Sequence, residues 1–460
     1  MNATAFAQLD LNPDLLDNLN TLTFTQMTPI QAESLPHILS GKDVIGQAKT
    51  GSGKTAAFAL GILNQLDVAS LHVQGLVICP TRELAHQVAK DMRSLARRIP
   101  NIKILTLAGG MPMKEQTTSL AYGAHIIVGT PGRIEDHLHR ERLNLHHLKT
   151  WVLDEADRML EMGFQESLEA IQEVLPTPHQ SLLFSATFPS QIKKISQRIM
   201  QKPVMVQVAS IHDEETIQNN FYRVESVEER LDALHLLLLQ HQPTSTLIFC
   251  NTKKDCQTVM NHLIYQGFSA LSLHGDLEQW ERDQVMVRFR NHSTSILVAT
   301  DVAARGLDIA ALDMVINYHI AQDPEVHVHR MGRTGRAGAQ GIACSLFSDK
   351  EQFKMTRLED YLEHPIEPLP LPQRADLNPN INKPIMATLQ LGAGKKQKIR
   401  PGDILGALTA QGGIQGDDVG DIHILNQWSY VAVKRQQLQQ ALHVLKNGTL
   451  KGRKVRVRII

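Results

Sequence analysis

The stretch that decides the fold is Ala48-Lys49-Thr50-Gly51-Ser52-Gly53-Lys54-Thr55, which has the spacing of a phosphate-binding P-loop. Its glycines allow backbone N–H groups to close around phosphate oxygens. Lys54 can reach the β- and γ-phosphates of a nucleotide, and Thr55 can hold Mg²⁺. All residues from Ala48 to Thr55 are therefore candidates for binding a nucleotide.

A second stretch farther along the chain, Val152-Leu153-Asp154-Glu155-Ala156-Asp157, is an apolar strand that ends in carboxylates. Asp154 can bind Mg²⁺ through water, and Glu155 can orient or deprotonate an attacking water. A P-loop followed by such a strand predicts an enzyme that hydrolyses ATP with Mg²⁺ as cofactor. Lys54, Asp154 and Glu155 are its first candidate catalytic residues.

The composition is that of several folded domains. The chain has 460 residues, 42% hydrophobic and 20% charged, which predicts two or three domains. It contains no long apolar run and no N-terminal leader pattern, so we expect neither a transmembrane helix nor a signal peptide. Four scattered cysteines, Cys79, Cys250, Cys256 and Cys344, predict buried free thiols in a reducing, cytoplasmic compartment.

The formal net charge of zero conceals an asymmetry. Residues 383–460 contain 13 Lys and Arg against 4 Asp and Glu, so this segment carries +9 and the remainder carries −9. A basic terminal module on an acidic body indicates a domain that binds a polyanion. A solvated basic face without a partner is the alternative.

Short apolar runs alternate with helical patterns in two successive parts of the chain. The first part has predicted strands at Leu76–Cys79, Ile126–Val128, Trp151–Leu153 and Leu182–Phe184, and predicted helices at Thr55–Leu66 and Arg82–Ala96. The second repeats the pattern at Leu247–Cys250, Ile296–Ala299, Met314–Asn317 and Ile342–Cys344 but has no P-loop. Buried strands separated by helices predict the α/β class, with two parallel-sheet domains that share a cleft.

Two breaks and a third pattern set the domain boundaries. An acidic interruption, Asp213-Glu214-Glu215, marks the first linker, and the proline repeat from Pro365 to Pro372 marks the second. The remaining segment has the order β-α-β-β-α-β, which predicts a small sheet with helices on one face. The predicted division is a first domain at 1–205, a linker at 206–218, a second domain at 219–365, a proline-rich linker at 366–382 and a third domain at 383–460.

Two further groups of residues can complete the ATP site. Gln31 can read the adenine edge and Phe24 can stack on the base, although a capped helix start explains the same residues. Ser185 and Thr187, at a strand end, can link the nucleotide state to a neighbouring loop, or can simply terminate the strand.

An arginine-rich segment of the second part, His329-Arg330-Met331-Gly332-Arg333-Thr334-Gly335-Arg336, holds three arginines that are costly to bury. Arg333 and Arg336 are candidate arginine fingers facing the P-loop, and Gly306 and Asp308 are candidates for lining the same cleft. A surface anion patch is the alternative.

The whole set of motifs, carried by residues 6–348, resembles the DEAD-box RNA helicases. The motifs in family order are the glutamine motif Phe24 to Gln31, the P-loop, Pro80-Thr81-Arg82-Glu83-Leu84-Ala85, Gly109-Gly110, Thr130-Pro131-Gly132-Arg133, Asp154-Glu155-Ala156-Asp157, Ser185-Ala186-Thr187, Gln279 with Arg282, Asp301 to Asp308, and His329 to Arg336.

The resemblance implies two RecA-like domains that close on ATP and RNA together. It assigns adenine to Phe24 and Gln31, the phosphates and Mg²⁺ to the P-loop and Asp154, and completion of the site to Arg333 and Arg336. It also implies a set of residues that contact RNA phosphates and riboses rather than base edges. These are Thr81, Arg82, Gly110, Thr130, Arg133, Gln279, Arg282 and Thr300.

The C-terminal segment Lys395 to Leu408 is similar to the third domain of the DbpA type of bacterial DEAD-box protein, as are Asn251 to Cys256 and Asp323 to Arg330. This similarity implies an RRM-like domain that directs a monomeric motor to a hairpin of large-subunit (23S) rRNA in pre-ribosomal particles. The segment has few aromatics for base stacking, Trp428 and Tyr430 being the main ones. Candidate RNA contacts are Lys395, Lys396, Lys398, Arg400, Tyr430, Lys434, Lys451, Arg453, Lys454 and Arg456.

Two other functions compete with an ATP-dependent RNA helicase. One is a DNA translocase of the wider helicase superfamily, which Gln31 and the Asp154–Asp157 run disfavour. The other is a passive RNA clamp that uses ATP only as a latch, and ATP consumption over many turnovers would exclude it.

Overall fold

The computed structural model describes residues 5–48, 51–188, 190–208, 217–304, 312–335, 340–410 and 412–460. The candidate site residues Lys49, Thr50, Gly306, Asp308 and Arg336 lie outside these ranges. Within them, no helix is both long and apolar enough to cross a membrane.

The first domain is a parallel sheet with helices on both faces. Its described strands are β1 (Val44–Gln47), β2 (Gly75–Ile78), β3 (Ile104–Leu107), β4 (Ile126–Gly129), β5 (Thr150–Asp154), β6 (Gln180–Ser185) and β7 (Val204–Gln207). Its described helices are α1 (Pro13–Thr21), α2 (Pro29–Leu39), α3 (Lys54–Asn64), α4 (Arg82–Leu95), α5 (Met113–Ala121), α6 (Pro131–His139), α7 (Ala156–Glu161), α8 (Gln165–Glu173) and α9 (Ser190–Ile199).

The strand order in this sheet is β3-β4-β2-β5-β6-β1-β7, and all neighbours are parallel. Alternate side chains of the strands enter two separate apolar cores. Val77 and Val152 belong to one core, whereas Leu76 and Leu153 belong to the other. Burial on both faces explains why the strands are nearly continuous apolar runs in the sequence.

The second domain repeats this architecture. Its described strands are β8 (Ile217–Arg223), β9 (Thr246–Cys250), β10 (Ala270–Leu273), β11 (Ile296–Thr300), β12 (Met314–Asn317) and β13 (Gly341–Phe347). Its described helices are α10 (Val227–His241), α11 (Lys253–Tyr265), α12 (Gln279–Arg290), α13 (Asp301–Ala304), α14 (Pro324–Met331) and α15 (Gln352–Leu362). The strand order is β10-β11-β9-β12-β13-β8, again parallel throughout.

The C-terminal domain is a small antiparallel sheet. Its described elements are β14 (Met386–Leu391), α16 (Pro401–Leu408), β15 (Val419–Ile424), β16 (Ser429–Lys434), α17 (Leu438–Asn447) and β17 (Val457–Ile459), with strand order β15-β16-β14-β17. Leu389 and Val431 face the apolar core shared with both helices. The predicted β-α-β-β-α-β order and the predicted fold class are confirmed.

The segments between the domains differ in their packing. β7 ends at Gln207 and β8 begins at Ile217, so regular structure extends into both ends of the predicted 206–218 linker. The proline-rich segment 366–382 has no strand or α-helix among its residues, but it lies on the second domain: Leu369 N donates to Phe221 O at 2.7 Å, and Leu371 packs against the domain core. The described residues form two compact units, the first domain alone and the second domain with the C-terminal domain.

The prediction that the four cysteines are buried free thiols is confirmed, because Cys79, Cys250, Cys256 and Cys344 are all buried and free. No group of three or more His, Cys, Asp or Glu side chains suited to holding a metal ion occurs in the described part of the chain.

Candidate functional site

The predicted ATP-site residues of the first domain lie at one edge of its sheet. The P-loop follows β1, Asp154 ends β5, and Ser185 ends β6. Because β5, β6 and β1 are neighbours in a parallel sheet, their carboxyl ends meet at the same edge. Ligands of open α/β sheets bind at this edge.

The P-loop backbone takes a shape that glycine favours. Gly51 and Gly53 have φ of 85° and 94°, in the left-handed region, and Gly53 caps the N-terminus of α3. Lys54 is buried, and its ammonium donates to Ala48 O at 2.5 Å. Ser52 Oγ is buried without a hydrogen-bond partner among the described residues. A helix N-terminus with a buried lysine and an unsatisfied hydroxyl suits a phosphate group.

Gln31 joins the start of α2 to the P-loop. Its side-chain oxygen accepts from Thr28 N at 2.9 Å, and its amide nitrogen donates to Gly53 O at 3.0 Å. The capped helix start is therefore present, and the capping residue also holds the P-loop. Phe24 is 44% exposed, so its ring is accessible to a planar ligand.

Asp154 is buried in an electrostatically unfavourable place. Burial and then the charge of Glu155 raise the pKa of Asp154 to about 7, although Lys54 opposes the shift. Cys79 is also buried, and its burial, followed by the charges of Asp154 and Glu155, raises the pKa of its thiol well above the usual value. A buried carboxylate held this way gains from a cation, so the donor set at Asp154 and Thr55 fits Mg²⁺ bound with a nucleotide.

Asp157 joins the candidate site through its hydrogen bonds, although the sequence analysis gave it no role of its own. Its Oδ2 accepts from Thr187 N at 3.1 Å and from Thr187 Oγ1 at 2.9 Å, and its N–H donates to Ser185 Oγ at 3.3 Å. The two predicted coupling residues are thus tied to the helix that begins after Glu155. The position of Asp157 at the end of the Asp154–Asp157 run was the available clue.

The predicted RNA contacts of the first domain lie at a different part of the same edge. Thr81 and Arg82 follow β2, Gly110 follows β3, and Thr130 and Arg133 follow β4. These three strands are neighbours in the order β3-β4-β2, so the sheet brings all five residues to its carboxyl edge.

The loops that carry these residues hold one another. Arg133 donates to Met111 O at 3.1 Å and to Gln116 Oε1 at 2.9 Å, which ties α6 to the loop after β3. Thr81 Oγ1 caps α4 by accepting from Leu84 N at 3.2 Å. The cluster therefore offers helix N-termini and arginines, the groups that bind phosphate oxygens.

The second domain gathers its predicted RNA contacts in the same manner. Gln279 begins α12 after β10, Thr300 ends β11, and these two strands are adjacent. Gln279 Nε2 donates to Asp283 Oδ1 at 2.9 Å, and Arg282 Nη1 lies 3.5 Å from His274 O.

The arginine-rich segment divides into a buried part and an accessible part. Arg330 is 2% exposed and forms two hydrogen bonds of 2.7 Å to Asp301, with further bonds to Asn317 and Asn251. The expectation that these arginines avoid the core is wrong for Arg330, because a bidentate carboxylate offsets its burial. Arg333 lies partly exposed in the turn after α14, and Arg336 lies outside the described residues.

Most of the predicted basic residues of the C-terminal domain form one exposed group, which we call the basic edge. Its members are Lys395, Lys396, Lys398 and Arg400 after β14, and Lys451, Arg453, Lys454 and Arg456 before β17. Lys451 joins the two loops: its ammonium donates to Lys398 O and forms an ion pair with Asp403 at 3.1 Å.

Tyr430 and Lys434 do not belong to the basic edge. Tyr430 is 1% exposed, and its hydroxyl accepts from Gln390 Nε2 at 3.1 Å. Lys434 of β16 lies opposite Met386 at the start of β14, whereas the basic edge follows the end of β14. The ammonium of Lys434 forms an ion pair with Asp418 at 2.8 Å. The prediction that Tyr430 is available to RNA is therefore wrong for this structure, since the residue is enclosed.

The fold and the site define a P-loop ATPase of two parallel-sheet domains with a small basic domain attached. Three family models match the chain in this order. They are the DEAD/DEAH box helicase at residues 28–195, the helicase conserved C-terminal domain at 228–338, and the DbpA RNA binding domain at 388–459.

Relatives cover either the whole chain or its first two domains. The chain is 49% identical over 458 residues to the ATP-dependent RNA helicase DbpA of Escherichia coli, covering 99% of this chain and 100% of that protein. It is 45% identical to the DEAD-box ATP-dependent RNA helicase CshA of Bacillus cereus, over 77% of this chain and 68% of that protein. The solved structure of Saccharomyces cerevisiae Dbp5 bound to RNA and ADP BeF3 superposes with a TM-score of 0.72 at 30% identity, covering 79% of this chain and 95% of that one.

The chain belongs to the DEAD-box ATP-dependent RNA helicases, of the DbpA type. It is therefore an RNA-stimulated ATPase and helicase with an RNA-binding C-terminal domain. The predicted family, fold class and enzyme class are confirmed.

Proposed function

We propose that this helicase separates short RNA duplexes next to a hairpin of large-subunit (23S) rRNA during ribosome assembly. It acts as a cytoplasmic monomer on pre-ribosomal particles, and its C-terminal domain binds the hairpin and so directs the helicase to its target. The observation that carries this proposal is the basic edge, a group of exposed lysines and arginines on two loops that Lys451 joins, in a segment with a net charge of +9.

ATP is held at the carboxyl edge of the first sheet. Lys54 exchanges its bond to Ala48 O for the β- and γ-phosphates, and Gly51, Ser52 and Gly53 offer backbone N–H groups to the same oxygens. Thr55 and Asp154 would hold Mg²⁺, which would neutralise charge on the phosphates. Glu155 orients the attacking water, and Phe24 and Gln31 recognise adenine.

The second domain completes hydrolysis through Arg333 and Arg336, which we assign as arginine fingers. A guanidinium stabilises the charge that develops on the transferred phosphoryl group. If Arg336 has this role, Arg336→Ala lowers RNA-stimulated turnover by roughly 10³-fold or more while leaving ATP affinity nearly intact. Unchanged turnover would remove Arg336 from the role.

RNA binding to the two parallel-sheet domains is assigned to sugar and phosphate contacts. Thr81, Arg82, Gly110, Thr130 and Arg133 act from the first domain. Gln279, Arg282 and Thr300 act from the second. Such contacts fix the position of a strand but do not read its sequence, so specificity has to come from the C-terminal domain. The relative Dbp5 was solved with RNA bound, which supports a shared RNA path.

Ser185 and Thr187 couple the nucleotide to the RNA through Asp157. The bonds from Thr187 to Asp157 connect the strand end of β6 to the helix that follows Glu155. A change in the position of Glu155 on hydrolysis would therefore be transmitted to the segment after Thr187.

The basic edge binds the hairpin through phosphates, and the test is the salt dependence of hairpin affinity. Each phosphate contact to single-stranded or looped RNA contributes about 0.7 to the slope of log affinity against log salt. Lys454→Ala is expected to lower the slope by about one contact. Lys434→Ala is the matched control, because Lys434 lies at the other end of the sheet, and it is expected to leave the slope unchanged. Equal effects of the two variants would contradict the assignment.

A further inference from the structure

The middle of the outer face of the C-terminal sheet, opposite α16 and α17, is buried rather than exposed. Leu389 and Leu391 of β14 point into the domain core, so Thr388 and Gln390 point the other way. Thr388, Gln390 and Tyr430 on this outer face are all at most 2% exposed. The covering surface belongs to the second domain, which lies in the same compact unit.

Four polar side chains join the two domains, and we call them the docking cluster: Asn291, Ser293, Thr388 and His423. Asn291 Nδ2 donates to Thr388 Oγ1 at 3.1 Å, and His423 Nε2 lies 3.0 Å from Asn291 Oδ1. Ser293 Oγ lies 2.8 Å from Thr388 Oγ1 and donates to Arg288 O at 2.9 Å. Because the Ser293 hydroxyl proton goes to Arg288 O, the hydroxyl of Thr388 donates to Ser293 Oγ. Each hydrogen bond of the docking cluster then has one donor and one acceptor.

A second row of polar side chains crosses the same face. His423, Tyr430, Gln390 and Arg458 are aligned by the strand registers, one from each strand. Arg458 Nε donates to Gln390 Oε1, and Gln390 Nε2 donates to the Tyr430 hydroxyl. RRM domains that bind RNA on the sheet present exposed aromatic rings on this face. Here the aromatic ring is enclosed and its hydroxyl is occupied.

The linker before the C-terminal domain is also held in place. Leu369 bonds to Phe221 of β8, and Gln242 Nε2 donates to Asn380 O at 2.9 Å. Ile381 lies close enough to Gly267 that a Cβ added to the glycine would be 3.5 Å from its Cδ1. Contacts at several points along 366–382 restrict the orientation of the domain that follows.

Helix α12 connects the docked face to predicted RNA contacts. Gln279 and Arg282 lie in its first turn, and Asn291 of the docking cluster is the residue that caps its end. Between them, Asp283 accepts from Gln279. The pKa of the Tyr430 phenol is raised chiefly by burial, and the nearby charge of Asp283 adds to the shift.

We propose that the outer sheet face is a docking surface that stays bound to the second domain during turnover, so that RNA held by the basic edge keeps a fixed position relative to Gln279 and Arg282. This inference rests on the proposed function, because it takes the basic edge as the RNA site. The members of the docking cluster are positioning residues, since they act through α12 and touch no substrate.

A disulfide across the interface tests whether the docked state is the working state. The Ser293 and Thr388 oxygens are 2.8 Å apart, so the double variant Ser293→Cys with Thr388→Cys places two thiols next to each other across the interface. The expected result is an intramolecular disulfide in the full chain. RNA-stimulated ATP turnover of the oxidised chain is expected to stay within about twofold of the reduced chain. Failure to form the bond, or turnover lost on oxidation and restored on reduction, would overturn the proposal.

Loosening the interface tests the coupling. Asn291→Ala with Thr388→Val removes the docking cluster and leaves the basic edge intact. Hairpin affinity and turnover with RNA lacking the hairpin are expected to be unchanged, whereas the extra stimulation by hairpin-linked duplex falls about tenfold. The single variant Thr388→Ser, which keeps the hydroxyl, is expected to show the full extra stimulation by hairpin-linked duplex. No loss, or an equal loss with every RNA, would overturn the role.

The two proposals fail in different ways. If hairpin RNA gives no extra stimulation to the unmodified chain, the proposed rRNA target is wrong. The docking proposal can still be tested in that case, by measuring turnover of the disulfide variant with RNA that lacks the hairpin. If the hairpin stimulates the unmodified chain but the locked chain is inactive, the target stands and the docking proposal is wrong.

Discussion

Asp154→Asn is expected to destroy ATP hydrolysis while making the ligand-free first domain more stable. Asp154 is buried beside Glu155, and burial together with that neighbouring charge raises its pKa from 3.8 to about 7. The folded chain thus holds the Asp154 proton more tightly than the unfolded chain does. Asparagine has nearly the same shape and never ionises, so it avoids the cost of a buried charge.

The size of the effect follows from the pKa shift. The folding free energy contributed by the bound proton is fully present below pH 3.8 and is lost as the pH rises through about 7. Each pKa unit corresponds to about 1.4 kcal/mol, so ionisation costs the folded wild type about 1.7 kcal/mol at pH 5 and about 4 kcal/mol at pH 8. The stability gain of Asp154→Asn over wild type should therefore grow by about 2.5 kcal/mol between these two pH values.

Urea unfolding followed by Trp151 fluorescence, with a chelator present, measures this gain in the first domain alone. Trp151 is fully buried in β5, and Trp280 and Trp428 are replaced by phenylalanine in both chains to remove their emission. Asp157→Asn is the control. It is expected to destabilise the domain at both pH values, because it loses the bonds from Thr187. A gain that is absent at about pH 8, or independent of pH, would refute the reasoning.

Three further variants test other parts of the structure. Gly53→Ala should abolish binding of a fluorescent ATP analogue, because its φ is 94° and an added Cβ would overlap the Gln31 amide; wild-type affinity would contradict this. Thr187→Val removes a bond to the Asp157 carboxylate, of a kind contributing about 1.5–3 kcal/mol, and should lower duplex separation far more than ATP turnover, with Thr187→Ser restoring it. Arg330→Leu removes a buried guanidinium that makes two charge-assisted bonds to Asp301, a carboxylate that is itself 24% exposed, and should lower the unfolding free energy of the second domain by about 1.5–3 kcal/mol in a denaturant titration; a loss below about 0.5 kcal/mol would contradict the pairing.

Periodicity alone predicted most of the sheet strands that carry the sites. The apolar runs Trp151–Leu153 and Leu182–Phe184 are β5 and β6, and the first strand of the predicted β-α-β-β-α-β order is β14. These strands are recognisable because burial on one or both faces leaves a local pattern of side chains. The placement of the ATP-site residues at one sheet edge then follows from parallel pairing.

Features that depend on distant partners were not predictable. Arginine is usually a surface residue, and the burial of Arg330 is favourable only because its guanidinium pairs with Asp301. Tyr430 belongs to a strand whose outer face normally meets solvent or RNA, and it is buried because the second domain covers that face. Asp157 becomes a candidate site residue only once its bonds to Thr187 are known. A local pattern in the sequence contains none of these long-range contacts.

The measurement that tests the central claim most directly is steady-state ATP turnover with 23S rRNA fragments that contain or lack the hairpin. It compares the full chain with the triple variant Lys395→Glu, Lys396→Glu and Arg453→Glu, whose three exposed side chains belong to the basic edge. We expect strong hairpin-dependent stimulation of the unmodified chain, and stimulation of the variant only to the level given by RNA without the hairpin. A variant that keeps the preference for the hairpin, or an unmodified chain that has none, would contradict the account.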